Sequence, residues 1–233
     1  MRKQISSFQF SFANRILKSL SDPQKKWDLK RKYPKFLFQP FMSVSEFQLF
    51  NSLCEDKKTF LEYGSGGSTI YFIKNGKRVY SVESSLSFHT YMNSISLVKK
   101  YNGNLLHSTF LDLGLHDKWG KPETFDKQDQ WFKYYSEVWE TVLKNEIKVD
   151  AIFIDGRFRV CCCLYSIIKV IENGWTDTLF IIHDFWNRKE YHEVLNFLDE
   201  HQSDTTLGSF KVKENVDKKS VSLILEQYAN EVA

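Results

Sequence analysis

The stretch Phe60-Leu-Glu-Tyr-Gly-Ser-Gly-Gly-Ser-Thr69 decides the fold of this chain. A short apolar segment runs directly into three glycines, and a helical pattern starts at Ser68. Glycine allows positive φ and a close approach of the backbone to a ligand, and the first N–H groups of a helix lack partners within that helix. The stretch therefore predicts a strand, a ligand-facing turn and a helix N-terminus in direct succession.

Strand and helix patterns alternate from this stretch onward. Strands are predicted at Thr59–Tyr63, Arg78–Val82, Asn104–Ser108, Asp150–Ile154 and Leu179–Ile182, and helices at 68–74, 86–99, 130–144 and 160–172. Such alternation is typical of a doubly wound α/β fold, a mostly parallel Rossmann-like sheet with helices on both faces. At the C-terminal end we expect a helix over Glu190–Glu200 and two antiparallel edge strands, Gly208–Lys213 and Ser220–Leu225.

Residues 1–57 differ from the rest, so we expect an N-terminal helical and basic extension there and a ligand-binding domain over 58–233. The extension holds a helical pattern at Ser11–Leu20, a basic, aromatic stretch at Gln24–Phe38, and a helix at Ser43–Cys54 that Ser43 or Ser45 can cap. A lid or a packing arm is its expected role. The basic stretch could meet an acidic partner or a membrane surface, but a solvated helix face followed by a loop explains it more simply.

Composition excludes several classes of function. The 233 residues are 42% hydrophobic and 26% charged, as expected for one globular domain with an extension. A net charge of +3 is too weak to indicate nucleic-acid binding, and no segment is apolar enough to span a membrane. The four cysteines, Cys54 and the run 161–163, match no zinc pattern. Free thiols favour the cytoplasm, and we expect the run to pack inside a helix.

Two acidic residues at strand ends narrow the choice of ligand. Thr69 stands at the third position of a GxGxxG pattern, which argues against a dinucleotide site. Glu62 would repel a pyrophosphate but suits a zwitterion with a free amino group, such as S-adenosylmethionine (SAM). Glu83 follows 21 positions later at the end of the second strand, where a carboxylate can accept hydrogen bonds from both hydroxyls of a ribose.

Charged residues also follow the next two apolar strands. Asp155 comes directly after one of them, followed by Arg157 and Arg159. Guanidinium groups bind carboxylates in a bidentate manner, so these arginines could clamp an acidic acceptor. Alternatively, Arg157 pairs with Asp155 or Glu62.

The last apolar strand ends in His183 and Asp184. His183 could remove a proton from an acceptor hydroxyl, or it could be a structural residue. Asp155, Asp184 and Asn187 offer hard oxygen ligands that could hold a divalent cation instead.

In this order, the four segments resemble the class I SAM-dependent methyltransferases over roughly Thr59 to Leu225. The Glu-x-Gly-x-Gly-Gly-Ser turn is similar to their first motif, and Glu83 to their ribose-binding acid. The Asp155 and His183-Asp184 segments resemble the branch that contains small-molecule O-methyltransferases, and the Trp119–Pro122 turn resembles a subset of uncharacterised bacterial methyltransferases. Phe158 stands where part of that branch has His, and Asp184-Phe185 where metal-dependent catechol-type enzymes have Asp-Asn, so a metal is not favoured.

The resemblance implies a SAM-dependent transferase with the following site. Cofactor contacts are expected from Glu62, Gly64, Ser65, Gly66, Ser68, Thr69, Glu83, Ser84, Phe110, Asp112 and Asp155. Catalytic roles fall to Asp155, His183 and Asp184, with His183 or Asp184 as the general base. A small-molecule or glycan-type acceptor would meet Arg157, Arg159, Trp119 and Trp186.

Two other functions stay open. An enzyme that uses NAD or a nucleotide sugar could have the same architecture, and a non-catalytic SAM-binding module could keep the fold without turnover. No nucleic-acid partner is expected, and a homodimer is compatible with these features.

Overall fold

A computed structural model describes residues 40–114 and 122–229 of the chain. Its strands are β1 Thr59–Tyr63, β2 Arg78–Glu83, β3 Leu106–Phe110, β4 Ala151–Ile154, β5 Leu179–Ile182, β6 Leu198–Asp204 and β7 Leu207–Val212. They form one seven-stranded sheet in the order β3-β2-β1-β4-β5-β7-β6. β1 to β5 pair with one another in parallel, and β7 runs antiparallel to both β5 and β6. The predicted parallel sheet with an antiparallel edge is confirmed.

The α-helices of the described ranges cover both faces of the sheet. They are α1 Val44–Cys54, α2 Gly67–Lys74, α3 Leu86–Ser94, α4 Ser96–Tyr101, α5 Phe132–Lys144, α6 Arg159–Glu172 and α7 Lys218–Tyr228. Two 3₁₀ segments, Gln128–Gln130 and Lys189–Asn196, precede α5 and β6. Within these ranges, every helix is too short or too polar to traverse a lipid bilayer.

Alternation along the strands divides the core into two layers. Leu61 and Tyr63 of β1 pack in the layer that includes α5, α6 and α7, whereas Phe60 packs in the layer of α1 and α2. All residues of β1, β4 and β5 are buried. Burial on both faces explains why β4 and β5 are continuous apolar runs in the sequence.

The order of the strands places a topological switch point between β1 and β4. β1 pairs with β2 on one side and with β4 on the other. From β1 the chain adds β2 and β3 toward one edge of the sheet, and it then returns to add β4 and β5 on the opposite side of β1. In open α/β sheets, ligands bind at the carboxyl ends of the strands beside such a reversal. The residues that follow β1, β2, β4 and β5 all lie at that edge.

The N-terminal helix of the described region belongs to the core. Ser43 caps α1 in a capping box: its side chain accepts from the Glu46 N–H, and the Glu46 carboxylate accepts from the Ser43 N–H. The prediction of this helix and of its cap is confirmed. Phe50 and Cys54 are fully buried against the sheet. The predicted helix at Ser11–Leu20 and the basic stretch lie outside the described residues.

Two predictions near the C-terminus are wrong. The expected helix over Glu190–Glu200 is a 3₁₀ segment followed by β6, an edge strand whose mostly exposed residues show no apolar alternation. The expected strand Ser220–Leu225 is part of α7, which begins where the Asp217 carboxylate accepts from the Lys219 and Ser220 N–H groups. β6 and β7 therefore form the antiparallel edge.

The predicted helix at 86–99 is also interrupted. Ile95 has ψ of 127°, an extended conformation that separates α3 from α4. The loop predicted over 111–128 is irregular wherever it is described, apart from the first residue of the 3₁₀ turn at Gln128–Gln130.

Candidate active site

The glycine turn after β1 touches the turn after β4. Gly64 has φ of +92°, and a Cβ there would lie 2.8 Å from the Gly156 Cα. A Cβ on Gly156 would lie 2.2 Å from the Tyr134 hydroxyl oxygen and 2.8 Å from the Gly64 nitrogen. Both positions therefore require glycine, and the two ligand-facing turns are packed against each other.

Glu62 braces the glycine turn from inside. Its side chain is fully buried and accepts hydrogen bonds from the hydroxyls of Ser68, Thr69 (2.5 Å) and Ser81 (2.6 Å). Thr69 in turn accepts from the Gly66 N–H at 2.8 Å. Burial raises the pKa of Glu62 to about 7, although the three hydroxyls act to lower it. This network favours a role through the turn, because the carboxylate has no exposed surface with which to meet a ligand.

Glu83 is held at the end of β2, beside the same turn. Its Oε1 accepts the backbone N–H groups of Ser84 at 2.8 Å and Ser85 at 2.7 Å. Burial raises its pKa, whereas these bonds, a backbone bond from Ser65 and the charge of Arg157 act to lower it. Glu83 is 9% exposed, so it reaches the surface where Glu62 does not. Arg157 is partly buried, and its charge acts on Glu83.

Asp155 and His183 form a hydrogen-bonded pair between the ends of β4 and β5. The His183 Nδ1 lies 3.1 Å from the Asp155 Oδ1, and the Arg159 guanidinium lies 3.1 Å from the same oxygen. Burial alone would raise the pKa of Asp155, but His183 and Arg159 hold it below its usual value. Burial alone would lower the pKa of His183, but the charges of Asp155 and Asp184 raise it above its usual value.

Asp184 completes this group in a strained backbone conformation. It has φ of +55°, and Phe158 at the start of α6 has φ of +51°. Non-glycine residues rarely adopt this conformation, and such strain is concentrated at functional sites. The Asp184 Oδ1 lies 4.0 Å from the His183 Nε2, and its Oδ2 lies 3.6 Å from the Arg188 guanidinium.

Some expected site residues lie elsewhere or have other partners. Asp112 is exposed and pairs with Lys127, and the Phe110 ring packs against His89 with 5.6 Å between ring centroids. Trp186 is partly buried against Phe185 and is the neighbour of the exposed Asn187. Trp119 lies outside the described residues.

The sequence left open whether Arg157 binds the acceptor or pairs with Asp155 or Glu62. In the structure, the Arg159 guanidinium lies 3.1 Å from the Asp155 carboxylate. Arg159 is 5% exposed, which leaves little of it for an acceptor, so we revise its expected role. The acidic group of the structure consists of Asp155, Asp184 and His183, and Asn187 is exposed.

Three other residues shape the site and were missed in the sequence. Ser81 pairs in register with Glu62 on the neighbouring strand, and Ser85 holds Glu83 while capping α3. The hydroxyl oxygen of Tyr134 accepts a hydrogen bond from the Arg157 N–H, beside the Asp155-Gly156 turn, at 3.3 Å. Ser85 lies three residues after Val82, the predicted end of the second strand, and directly before a predicted helix. The preference of serine for helix caps was therefore a signal for Ser85, but there was none for Ser81 or Tyr134.

Three solved structures that are similar to this chain are described as methyltransferases or methyltransferase-like. No protein-family model matches the chain, and no curated protein sequence is significantly similar to it. A methyltransferase-like protein from Silicibacter pomeroyi is 24% identical, with 84% of this chain and 98% of that one covered and a TM-score of 0.66. A putative caffeoyl-CoA O-methyltransferase from Staphylococcus aureus is 13% identical (88% and 99% covered, TM-score 0.49). MycE methyltransferase from the mycinamycin biosynthetic pathway, in complex with Mg and SAH, is 13% identical (82% and 56% covered, TM-score 0.43).

The first of these likenesses shows that the chain has the fold of the class I methyltransferases. The other two are too distant to compare site with site.

Proposed function

We propose that this protein is a SAM-dependent methyltransferase that methylates a hydroxyl of a small-molecule or glycan-type acceptor. The observation that carries the proposal is the setting of Glu83. One oxygen of this carboxylate is fixed by two backbone N–H groups, and the group lies beside a glycine turn at the carboxyl edge of the sheet. A carboxylate oriented in this way suits the two hydroxyls of a ribose.

The glycine turn would receive the methionine end of the ligand. Gly64, Ser65 and Gly66 would approach it through their backbone. Because α2 begins at Gly67, the first N–H groups of this helix have no acceptor within the helix and lie at the turn. Glu62 positions this turn through Ser68 and Thr69. Ser84 would lie beside the ribose with Glu83, and Phe110 and Asp112 follow β3 on the adenine side.

His183 is the proposed general base. The Asp155 carboxylate accepts a hydrogen bond from Nδ1 of His183. The neutral imidazole therefore carries its proton on Nδ1 and keeps a lone pair on Nε2. When bound, SAM supplies a methyl group that its sulfonium has already activated. As the acceptor oxygen is methylated, His183 Nε2 would take the proton of its hydroxyl. Asp184 is the second candidate, because its carboxylate flanks the same nitrogen.

Arg157 supports an acidic acceptor such as a sugar acid. Its side chain is partly buried at the same edge, and a guanidinium binds a carboxylate in a bidentate manner. Trp186 and Trp119 are the further acceptor contacts that we propose.

Ligand-dependent melting separates this function from its main alternative. A ligand present at about 100 times its Kd stabilises a protein by ~2.7 kcal/mol, which raises the Tm of a chain of this size by roughly 5 to 10 °C. We expect such a shift with SAM and with its demethylated product SAH, and none with NAD or a nucleotide sugar. A shift with NAD and none with SAM would favour the dinucleotide or nucleotide-sugar enzyme. Binding of SAM without release of SAH in the presence of sugar acids, sugars and phenols would favour a non-catalytic module.

A further inference from the structure

Asp155, His183 and Asp184 form a group that could hold a metal ion. One ligand atom from each lies within 4.8 Å of the other two. Two carboxylates and an imidazole are ligands that divalent cations such as Mn²⁺ accept. The question is whether this group is available to such an ion.

The guanidinium of Arg159 already occupies this group. Its Nη2 lies 3.1 Å from the Asp155 Oδ1, and its Nη1 lies 3.9 Å from the Asp184 Oδ2. The Arg159 Nε donates to the Gly156 carbonyl at 3.1 Å, and Nη1 donates to the His183 carbonyl. The polar partners of the guanidinium described here are therefore all oxygen atoms, two from carboxylates and two from backbone carbonyls. A hard metal cation would have ligands of the same kind.

Because the positively charged guanidinium of Arg159 is buried beside these three side chains, it disfavours the binding of a metal cation there. Arg159 is 5% exposed, and arginine keeps its charge at any physiological pH. A divalent ion among the same three side chains would lie within a few ångströms of a buried positive charge, where repulsion is poorly screened. The three side chains therefore do not fit a metal ion while Arg159 is present.

The local chain path places Arg159 in this position. It is the first residue of α6 and follows Phe158, whose φ of +51° turns the chain sharply between the Asp-Gly turn and the helix. Arg159 thereby connects the turn after β4, through the Gly156 carbonyl, to the turn after β5, through the His183 carbonyl.

We propose that the Arg159 guanidinium takes the place of a divalent cation in this site, so that the protein holds Asp155, His183 and Asp184 together without a bound metal. Arg159 is a positioning residue: it orients Asp155, which in turn orients His183. The proposal concerns the charge balance of this group and does not depend on which ligand the glycine turn binds.

Mn²⁺ binding, followed by electron paramagnetic resonance on the full chain, tests this proposal. In Arg159→Met the three ligands lose their internal cation, and we expect Mn²⁺ binding at least tenfold tighter than in wild type. Adding Asp184→Asn to this variant should abolish the gain. Arg159→Lys, which keeps the charge, should not gain Mn²⁺. Arg188→Met is the matched control, because Arg188 also approaches Asp184 but is 44% exposed; it should behave as wild type.

Two results would overturn the proposal. One is Mn²⁺ binding by the wild-type protein that Asp184→Asn abolishes. The other is a folded Arg159→Met protein, judged by circular dichroism, that gains no Mn²⁺ affinity. If Arg159→Met does not fold, NMR spectra of the wild-type protein in the presence of Mn²⁺ still test the proposal. Mn²⁺ at substoichiometric concentration should leave the ring proton signals of His183 sharp in NMR spectra, and their selective broadening would contradict the proposal.

Discussion

At the scale of single residues, the carboxylates of this site are fixed before any ligand arrives. Glu62 has three hydroxyl donors, Glu83 has two backbone N–H donors, and Asp155 has His183 and Arg159. Groups held in this way need little reorganisation when charge changes during a reaction. The same contacts set the protonation of His183, which is the basis of a direct test.

The pKa of His183 should depend on Asp155. We expect the pKa of wild-type His183 to lie above 6.5, because burial, which lowers it, is outweighed by the charge and hydrogen bond of Asp155 together with the charge of Asp184. Asp155→Asn removes that charge, so the pKa should fall below the wild-type value, and Asp184→Asn should lower it by less. NMR titration of the ring protons measures all three. An unchanged His183 pKa in Asp155→Asn would contradict the pairing.

The same shift has a consequence for stability. The pKa of His183 is higher in the folded state than its value of ~6.5 in the unfolded chain. Protonated His183 therefore stabilises the fold fully at a pH below ~6.5, and this stabilisation is lost as the pH rises through the folded-state pKa. Neutral His183 is the active form of the proposed base, so methyl transfer should instead increase over the same rise in pH.

Most of the site could be predicted from the sequence, but the pairing of the two arginines could not. Glu62, Glu83, Asp155 and His183 were identifiable because each stands at the end of an apolar strand. Whether Arg157 or Arg159 turns inward depends on the positive φ of Phe158, which residue type does not indicate.

At the scale of elements, Glu46 connects α1 to the hairpin of β6 and β7. Besides capping α1, its carboxylate accepts from the Thr206 N–H at 2.9 Å and from the Thr206 hydroxyl at 2.5 Å. Burial alone would raise the pKa of Glu46, but these bonds and those from Ser43 lower it to about 2. The helix is thereby fixed to the antiparallel edge of the sheet.

Glu46→Gln should destabilise the protein at neutral pH by about 1 kcal/mol, the usual contribution of such hydrogen bonds. Because the folded pKa is depressed, the contribution of Glu46 is present above the unfolded pKa of ~4.3 and is lost as pH falls toward 2. Urea unfolding at pH 7 and at lower pH measures the difference between variant and wild type, which should shrink on acidification. Glu55→Gln, at the exposed end of α1, is the control. A difference that is independent of pH would count against a charged Glu46.

The elements that were predicted wrongly are those whose structure depends on distant partners. β6 is mostly exposed and is a strand because it pairs with β7. In α7, Val221 is buried while Ile224 and Leu225 pack against the core. This spacing is helical, but over a segment of only six residues the sequence pattern is equally compatible with a strand. In contrast, β4 and β5 were predictable because burial on both faces makes them apolar throughout.

At the scale of the whole molecule, strand order brings together residues that are far apart in sequence. Glu62, Glu83, Asp155 and His183 follow or end four neighbouring strands of one sheet. α1, from the segment expected to be an extension, packs in the same core as β1 and β4. The edge of the sheet at the carboxyl ends of β1 and β4 is where we propose that SAM binds.

Calorimetric titration with SAM and SAH tests this claim most directly. We predict micromolar binding of both ligands to the wild-type protein. Glu83→Gln, which keeps the shape of the side chain but loses its charge, should weaken binding at least ~10-fold, equivalent to about 1.4 kcal/mol. Asp56→Asn, at a carboxylate that is 74% exposed and pairs with Lys57, should bind as wild type does. Absence of binding to the folded wild-type protein, or equal affinity in Glu83→Gln, would contradict the account.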